Sequence, residues 1–191
     1  MAKVEAVGIR PGNLLEWDKR VWRVLKSYHV HVGGRGGAFM QVEMKDIETG
    51  TKTNQRFRTE DKVERAFVDP RDMQYLYQDG DSYVFMDKEN YEQLTVGADV
   101  LDPEQSRWLQ DGMEVTVSLH EGMPVGVELP KSVTLAVVEA DAVVKGQTAS
   151  SSYKPAMVEG GIRVMVPPHI AVGTKLVINT EDGSYMERAK D

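Results

Sequence analysis

The stretch best suited to chemistry is Gly33-Gly34-Arg35-Gly36-Gly37, one arginine held between two pairs of glycines. Glycine on both sides removes side-chain bulk and opens backbone conformations closed to other residues, so another surface can approach closely. Arg35 then stands nearly alone, a planar guanidinium charged at physiological pH and forked to meet phosphate or nucleobase edges. A solvated arginine on a flexible hairpin is the plain alternative. A phosphate-cradling loop fits less well, because neither GxxxxGK[ST] nor a GxGxxG opening a helix is present. His29 and His31 lie two apart on one strand face, a spacing that could bind a metal. No third ligand is near in sequence and His120 and His169 are remote, so a partly exposed strand face is the favoured reading. The pairs Glu139/Asp141 and Asp79/Asp81 could act as acid and base, but their setting beside turns favours solvated acids. Tyr75, Tyr77, Tyr83 and Phe85 could stack on bases, although alternating aromatics in small barrels favour core. No serine sits in a nucleophile elbow, and no catalytic constellation can be argued from spacing. The expectation is a protein that is not an enzyme and needs no metal or small-molecule cofactor.

Composition narrows the partners. The 191 residues hold no cysteine, which excludes disulfides, thiolate nucleophiles and cysteine-zinc sites. A net charge of -7 argues against a uniformly basic surface gripping nucleic acid, so any RNA contact must rest on a few placed cations and on shape. Hydrophobic residues at 41% and charged residues at 28% suit a packed globular chain. No apolar run approaches the roughly 18 residues that span a bilayer. The amino terminus lacks the apolar block of a secretory signal, which gives a cytoplasmic expectation with no membrane partner.

The elements that must position these residues read as strands. Tyr28, Val30 and Val32 share one face of a strand, and after the glycine break Ala38, Met40, Val42 and Met44 share one face of the next. The two form a hairpin around Arg35. Further strands are expected at 21–25, 75–77, 83–86, 115–119, 133–138, 163–166 and 176–178, with Asp79-Gly80 marking a tight hairpin. One helix of about two turns is expected from Asp102 as N-cap and Pro103 to Gly112, carrying Trp108 and Leu109, and a short helical turn could follow Thr59. Sliding the chain by 61 residues aligns Gly112, Val115, Val117, Glu121 and Gly122 with Gly173, Leu176, Ile178, Asp182 and Gly183, a weak internal repeat. The fold class is therefore all-β, three small barrels covering 1–66, 67–130 and 131–191 and packed directly together.

Three segments, in order, resemble the bacterial elongation factor P family. The first is the hairpin ending Gly33-Gly34-Arg35-Gly36-Gly37-Ala38-Phe39. The second comprises Tyr75-Leu76-Tyr77-Gln78-Asp79-Gly80, Tyr83-Val84-Phe85-Met86 and Tyr91-Glu92-Gln93-Leu94. The third comprises Lys154-Pro155-Ala156, Gly161, Val164, Val166-Pro167, Ile170 and Gly173. The resemblance implies an L-shaped, tRNA-like chain with an amino-terminal SH3-like (KOW-like) barrel and two OB-folds. It implies binding to the 70S ribosome between the P and E sites and rescue of stalls at consecutive prolines. Arg35 takes the tip position that reaches the CCA end of the peptidyl-tRNA, with Gly33, Gly34, Gly36 and Gly37 forming its loop. Gly146, Gln147 and Thr148 fall at the loop near the E-site mRNA codon, where Gln147 departs from the usual acidic residue. Tyr185 and Arg188 fall near the tRNA elbow. The tip arginine resembles the branch modified by a rhamnosyltransferase, while its glycine flanks resemble the lysine branch. A monomer is expected. The rival readings are the arginine-tipped paralogue of the same family, an OB-fold binder of single-stranded nucleic acid away from the ribosome, and a metal-dependent hydrolase using His29 and His31.

Overall fold

The computed structural model describes residues 2–34, 36–142 and 152–190. Among the described residues sixteen strands build three antiparallel sheets, so the all-β expectation holds. The first sheet contains β1 (Ala2–Glu5), β2 (Leu14–Trp17), β3 (Arg20–His31), β4 (Ala38–Asp46), β5 (Lys52–Arg58) and β6 (Lys62–Arg65), in the order β1-β6-β2-β3-β4-β5. The second contains β7 (Asp69–Asp79), β8 (Ser82–Asp87), β9 (Gln93–Gly97), β10 (Glu114–His120) and β11 (Met123–Glu128), in the order β11-β10-β7-β8-β9. The third contains β12 (Ser132–Ala140), β13 (Lys154–Val158), β14 (Ile162–Val166), β15 (Lys175–Asn179) and β16 (Tyr185–Arg188), in the order β14-β13-β12-β15-β16. The chain forms two compact units, residues 1–71 with 117–126, and residues 72–116 with 127–191.

Period-two burial explains the cores. Along β4, Met40, Val42, Met44 and Asp46 are buried while the residues between them are half-exposed. Met40, Val42 and Met44 pack with Ile9, Leu15, Trp22, Val24 and Phe57 in the first core. The third core gathers Leu135, Val137, Val158, Val164, Leu176 and Ile178 around Trp108. The sequence repeat has a structural counterpart: Val115, Val117, Leu176 and Ile178 are buried inward positions of β10 and β15, and Gly112, Gly173, Gly122 and Gly183 all have positive φ.

Several expectations change. The helix is a single turn, α1 (Pro103–Ser106), capped by Asp102, whose side chain accepts from the Gln105 N–H. Beyond it the chain tightens into i+3 bonds, Trp108 N–H to Gln105 O and Leu109 N–H to Ser106 O. That tightening accompanies burial of the Trp108 indole in the third core. After Thr59 there is a turn rather than a helix, closed by the Asp61 N–H on Arg58 O and leading straight into β6. In the β7–β8 hairpin Asp79 pairs with Ser82, so the turn residues are Gly80 and Asp81, and only Gly80 has positive φ. That is the pattern of a turn with glycine at its first central position. Tyr75, Tyr83 and Phe85 are core, but Tyr77 is exposed, because a bulge at Leu76 places Tyr77 opposite Val84 instead of on the Tyr75 face.

A turn that the sequence reading did not single out occurs once in each sheet, joining β4 to β5, β8 to β9 and β15 to β16. Its sequences are Asp46-Ile47-Glu48-Thr49-Gly50-Thr51, Asp87-Lys88-Glu89-Asn90-Tyr91-Glu92 and Asn179-Thr180-Glu181-Asp182-Gly183-Ser184. In each, the first side chain's Oδ1 accepts from the backbone N–H groups two and three residues on, at 2.8 and 3.1 Å for Asp46. In each, the fifth residue donates back to the first carbonyl in the left-handed conformation: Gly50, Tyr91 and Gly183, with φ of 73°, 62° and 72°. The Asx side chain thus satisfies donors that the ladder leaves unpaired.

Burial opposes ionisation of Asp46. The Thr49 and Glu48 N–H groups, the Thr49 hydroxyl and the Arg20 guanidinium outweigh it and hold the carboxyl below the usual aspartate value. A lowered native pKa gives stability that is present above the unfolded value near 3.9 and is lost as pH falls through the native one. Asp46→Asn keeps the acceptor, as Asn179 does, and removes the charge. It should lose about 1 kcal/mol at neutral pH, a gap that closes as the pH falls through the native carboxyl's lowered value when urea unfolding is followed across pH. Tyr91 is 71% exposed and holds a conformation its sister turns give to glycine. Tyr91→Gly should therefore raise the urea midpoint by an amount worth about 0.5–1 kcal/mol.

Candidate functional site

The hairpin of β3 and β4 outruns the core beneath it. Met40 is its last buried residue; Tyr28 and His29 beside it, and His31 and Val32 beyond it, are exposed. Tyr28 and Val30 were expected on a half-buried face with Val32. Instead a bulge at Leu25 shifts the register, pairing Val24 with Met44 but Lys26 with Glu43 and Ser27 with Val42. A one-residue shift exchanges the two faces of a strand. Tyr28 and Val30 therefore share the outer face with Gln41 and Phe39, while His29 and His31 continue the core-side row opposite Met40 and Ala38. Ser27, at the start of that row, donates its hydroxyl to Ile9 O at 3.1 Å.

The tip glycines lie between the ends of the two strands. Gly34 and Gly37 have φ of 84° and 71°, and the Val32 N–H closes the loop on Gly37 O at 3.2 Å. At Gly36 a Cβ would stand 2.7 Å from Cγ1 and 3.0 Å from Cβ of Val32, so a larger residue would force the strand end aside. These three positions thus call for glycine on geometric grounds. Arg35 itself lies outside the described residues, as do Gly146, Gln147 and Thr148.

Beside the tip runs an open groove of about 790 Å³, bounded by Val32, Gly36 and Phe39 on one side and by Arg56, Arg58 and Asp61 on the other. The Arg56 guanidinium sits 4.1 Å from the centre of the Phe39 ring, which braces the cation by attraction to the ring face. The Arg58 backbone N–H donates to Asp61 Oδ2 at 2.7 Å, fixing the turn at the end of β5. Sequence reasoning missed Arg56 and Arg58 because β5 is an edge strand with Phe57 as its only buried residue, so its alternation is faint. The signal available was Arg-Phe-Arg itself, two cations flanking one inward aromatic.

Tyr185 and Arg188 lie on β16, in the other compact unit. Three residues apart on a regular strand they would face opposite ways. A bulge at Met186 sets Tyr185 opposite Ile178 and Arg188 opposite Leu176, so both occupy the same face. Tyr185 is half-buried against the third core and meets the Tyr153 ring edge-to-face at 6.3 Å, while Arg188 is exposed. Among the described residues no group of three histidine, cysteine or acidic side chains could hold a metal ion, and no helix is long and apolar enough to cross a membrane.

Three family models match in succession: the elongation factor P KOW-like domain at residues 5–63, its OB domain at 68–127 and its carboxy-terminal domain at 133–188. Among curated proteins the chain is 62% identical to elongation factor P of Nitrosospira multiformis, over 98% of this chain and 100% of the relative. It is 55% identical to elongation factor P of Rhodospirillum centenum, over 99% and 100%. Among solved structures, the eukaryotic translation initiation factor 5A from Methanococcus jannaschii aligns with a TM-score of 0.43 and 25% identity, over 68% of this chain and 92% of that one. Matches to all three domains in order, with full-length relatives at these identities, establish that the chain belongs to the elongation factor P family of translation elongation factors.

Proposed function

We propose that this chain binds the 70S ribosome between the P and E sites and promotes peptide-bond formation at consecutive prolines, with Arg35 contacting the CCA end of the peptidyl-tRNA. The observation that carries the reading is the glycine-restricted tip. A two-stranded arm extends past its core, and its loop is built from positions where side chains would strain or collide, on both sides of the single arginine. Such a loop lets backbone and guanidinium enter a crowded RNA site. The contribution is positional: holding the tRNA end in a reactive geometry lowers the entropic part of the barrier, and the ribosome performs the chemistry. Arg56, braced on Phe39, lies where an incoming phosphate backbone could be met. On the other unit, Tyr185 and Arg188 share a face and offer a ring for stacking and a cation for phosphate, consistent with contact at a tRNA elbow. Gly146, Gln147 and Thr148 are assigned to the E-site codon by family position alone. The working form is a cytoplasmic monomer.

Reconstituted translation of a message encoding three consecutive prolines tests the proposal. Protein from the native host should relieve the stall, and Arg35→Ala should slow the relieved step by at least about tenfold, with no effect on a proline-free message. Full activity of the variant would remove Arg35 from the mechanism. No relief by either protein would favour the paralogue or a nucleic-acid binder, which ribosome co-sedimentation separates. We further propose that a rhamnosyltransferase-type enzyme modifies Arg35. The Arg35 peptide from the native host should then carry the mass of one deoxyhexose, and an unshifted peptide would overturn this claim.

A further inference from the structure

We propose that His29 and His31 form a two-imidazole site for a borderline divalent transition-metal ion such as Zn(II), at the base of the hairpin tip. The inference is independent of the ribosomal reading. It begins with register: the Leu25 bulge places both histidines on one row of β3, and pairing with β4 fixes their backbone. Both side chains are exposed, and their ring centroids are 4.3 Å apart with the planes at 76°. For two imidazoles on one zinc at Zn–N distances of about 2.0–2.1 Å and a tetrahedral angle, the ring centroids stand roughly 5 Å apart. The observed separation is therefore close to that of a two-imidazole chelate.

The surroundings leave room for an ion. Ala38, opposite His31, carries only a methyl group, and Met40, opposite His29, is turned into the core. Neutral imidazole suits zinc, copper and nickel, whereas magnesium and calcium prefer oxygen ligands. No third histidine or carboxylate joins the pair among the described residues, so water would complete the coordination. An ion there would cross-link two residues of β3 just ahead of Val32, whose N–H closes the tip loop, and would stiffen the base of the arm.

Zn(II) titration of the full-length, untagged protein, followed by calorimetry and by the histidine ring signals in NMR, tests the site. One ion per chain should bind, with the His29 and His31 signals shifting before those of His120 and His169. His29→Gln and His31→Gln should each weaken binding at least about tenfold, without change in the far-ultraviolet circular dichroism. A protein carrying both His120→Gln and His169→Gln should bind as the parent does. No saturable binding, binding that survives the double substitution His29→Gln and His31→Gln, or first shifts at His120 or His169 would each overturn the proposal.

Discussion

Strand register is the constraint on which the rest of the molecule depends. Where a strand buries one face, as β4 and β15 do, a slip of one residue would exchange its core row for a solvent row. The chain keeps register along most of its pairs and breaks it at a few places. Leu25 in β3, Leu76 in β7, Val138 in β12 and Met186 in β16 each lack a direct partner, and the pairing resumes one residue out of step. Three of these bulges decide the orientation of side chains outside the cores. The first sends the histidines to the core-side row and Tyr28 to the outside, the second exposes Tyr77, and the last unites Tyr185 and Arg188 on one face. Bulges commonly re-aim side chains near functional surfaces, and the local twist they add is the structural cost.

The second recurring device is the Asx turn. Each sheet ends one hairpin with a side-chain oxygen that accepts two backbone N–H groups, and a fifth residue in left-handed conformation closes it. Two of the three use aspartate, and these are the buried charged residues of the molecule's described part. Their burial is tolerable because the charge is met by oriented N–H donors, which a low-dielectric setting strengthens. Asn179 performs the same service without charge, so geometry rather than ionisation is the shared requirement. The glutamate two residues after the acceptor recurs in all three copies, where its backbone N–H is the nearer of the two donors to the Asx oxygen.

How much of this could be read in the sequence depends on how loudly each element announces itself. The central strands were legible, since alternation along 40–44, 115–119 and 176–178 is clean, and Met40, Val42, Met44, Val115, Val117, Leu176 and Ile178 are buried as expected. The edge strands were not: β5 and β16 bury little, so polar stretches such as Lys-Thr-Asn-Gln-Arg give no period. The tip was legible as a loop because four glycines leave few alternatives. Its groove was not, since Arg56 and Phe39 meet only after two strands pair. The repeat at 61 residues was visible through two glycines, two apolar positions and one acid in each copy, but the Asx turn was hidden because its second and fourth residues change and its fifth switches from glycine to tyrosine. Helix length failed for a tertiary reason, burial of Trp108 in another sheet's core. Bulges left no sequence mark at all.

Charge joins these parts into one argument. A chain with net charge -7 cannot gain affinity for RNA from its general field. The family's members are translation factors and not enzymes, and on the proposed reading the RNA contacts rest on a few cations in fixed places. The described cations are restrained in different ways: Arg56 by a ring face 4.1 Å away, Arg188 by a bulge that chooses its face, and Arg20 by the buried Asp46 carboxylate at 3.2 Å. The tip follows a contrary rule, in which the flanking residues are stripped to glycine so that the loop's conformation, rather than a neighbouring side chain, determines where the arginine can go. Restraint suits a contact that only needs to hold. A bare loop suits one that must enter a space shaped by its partner, and that division follows from the cost of ordering flexible cations on binding.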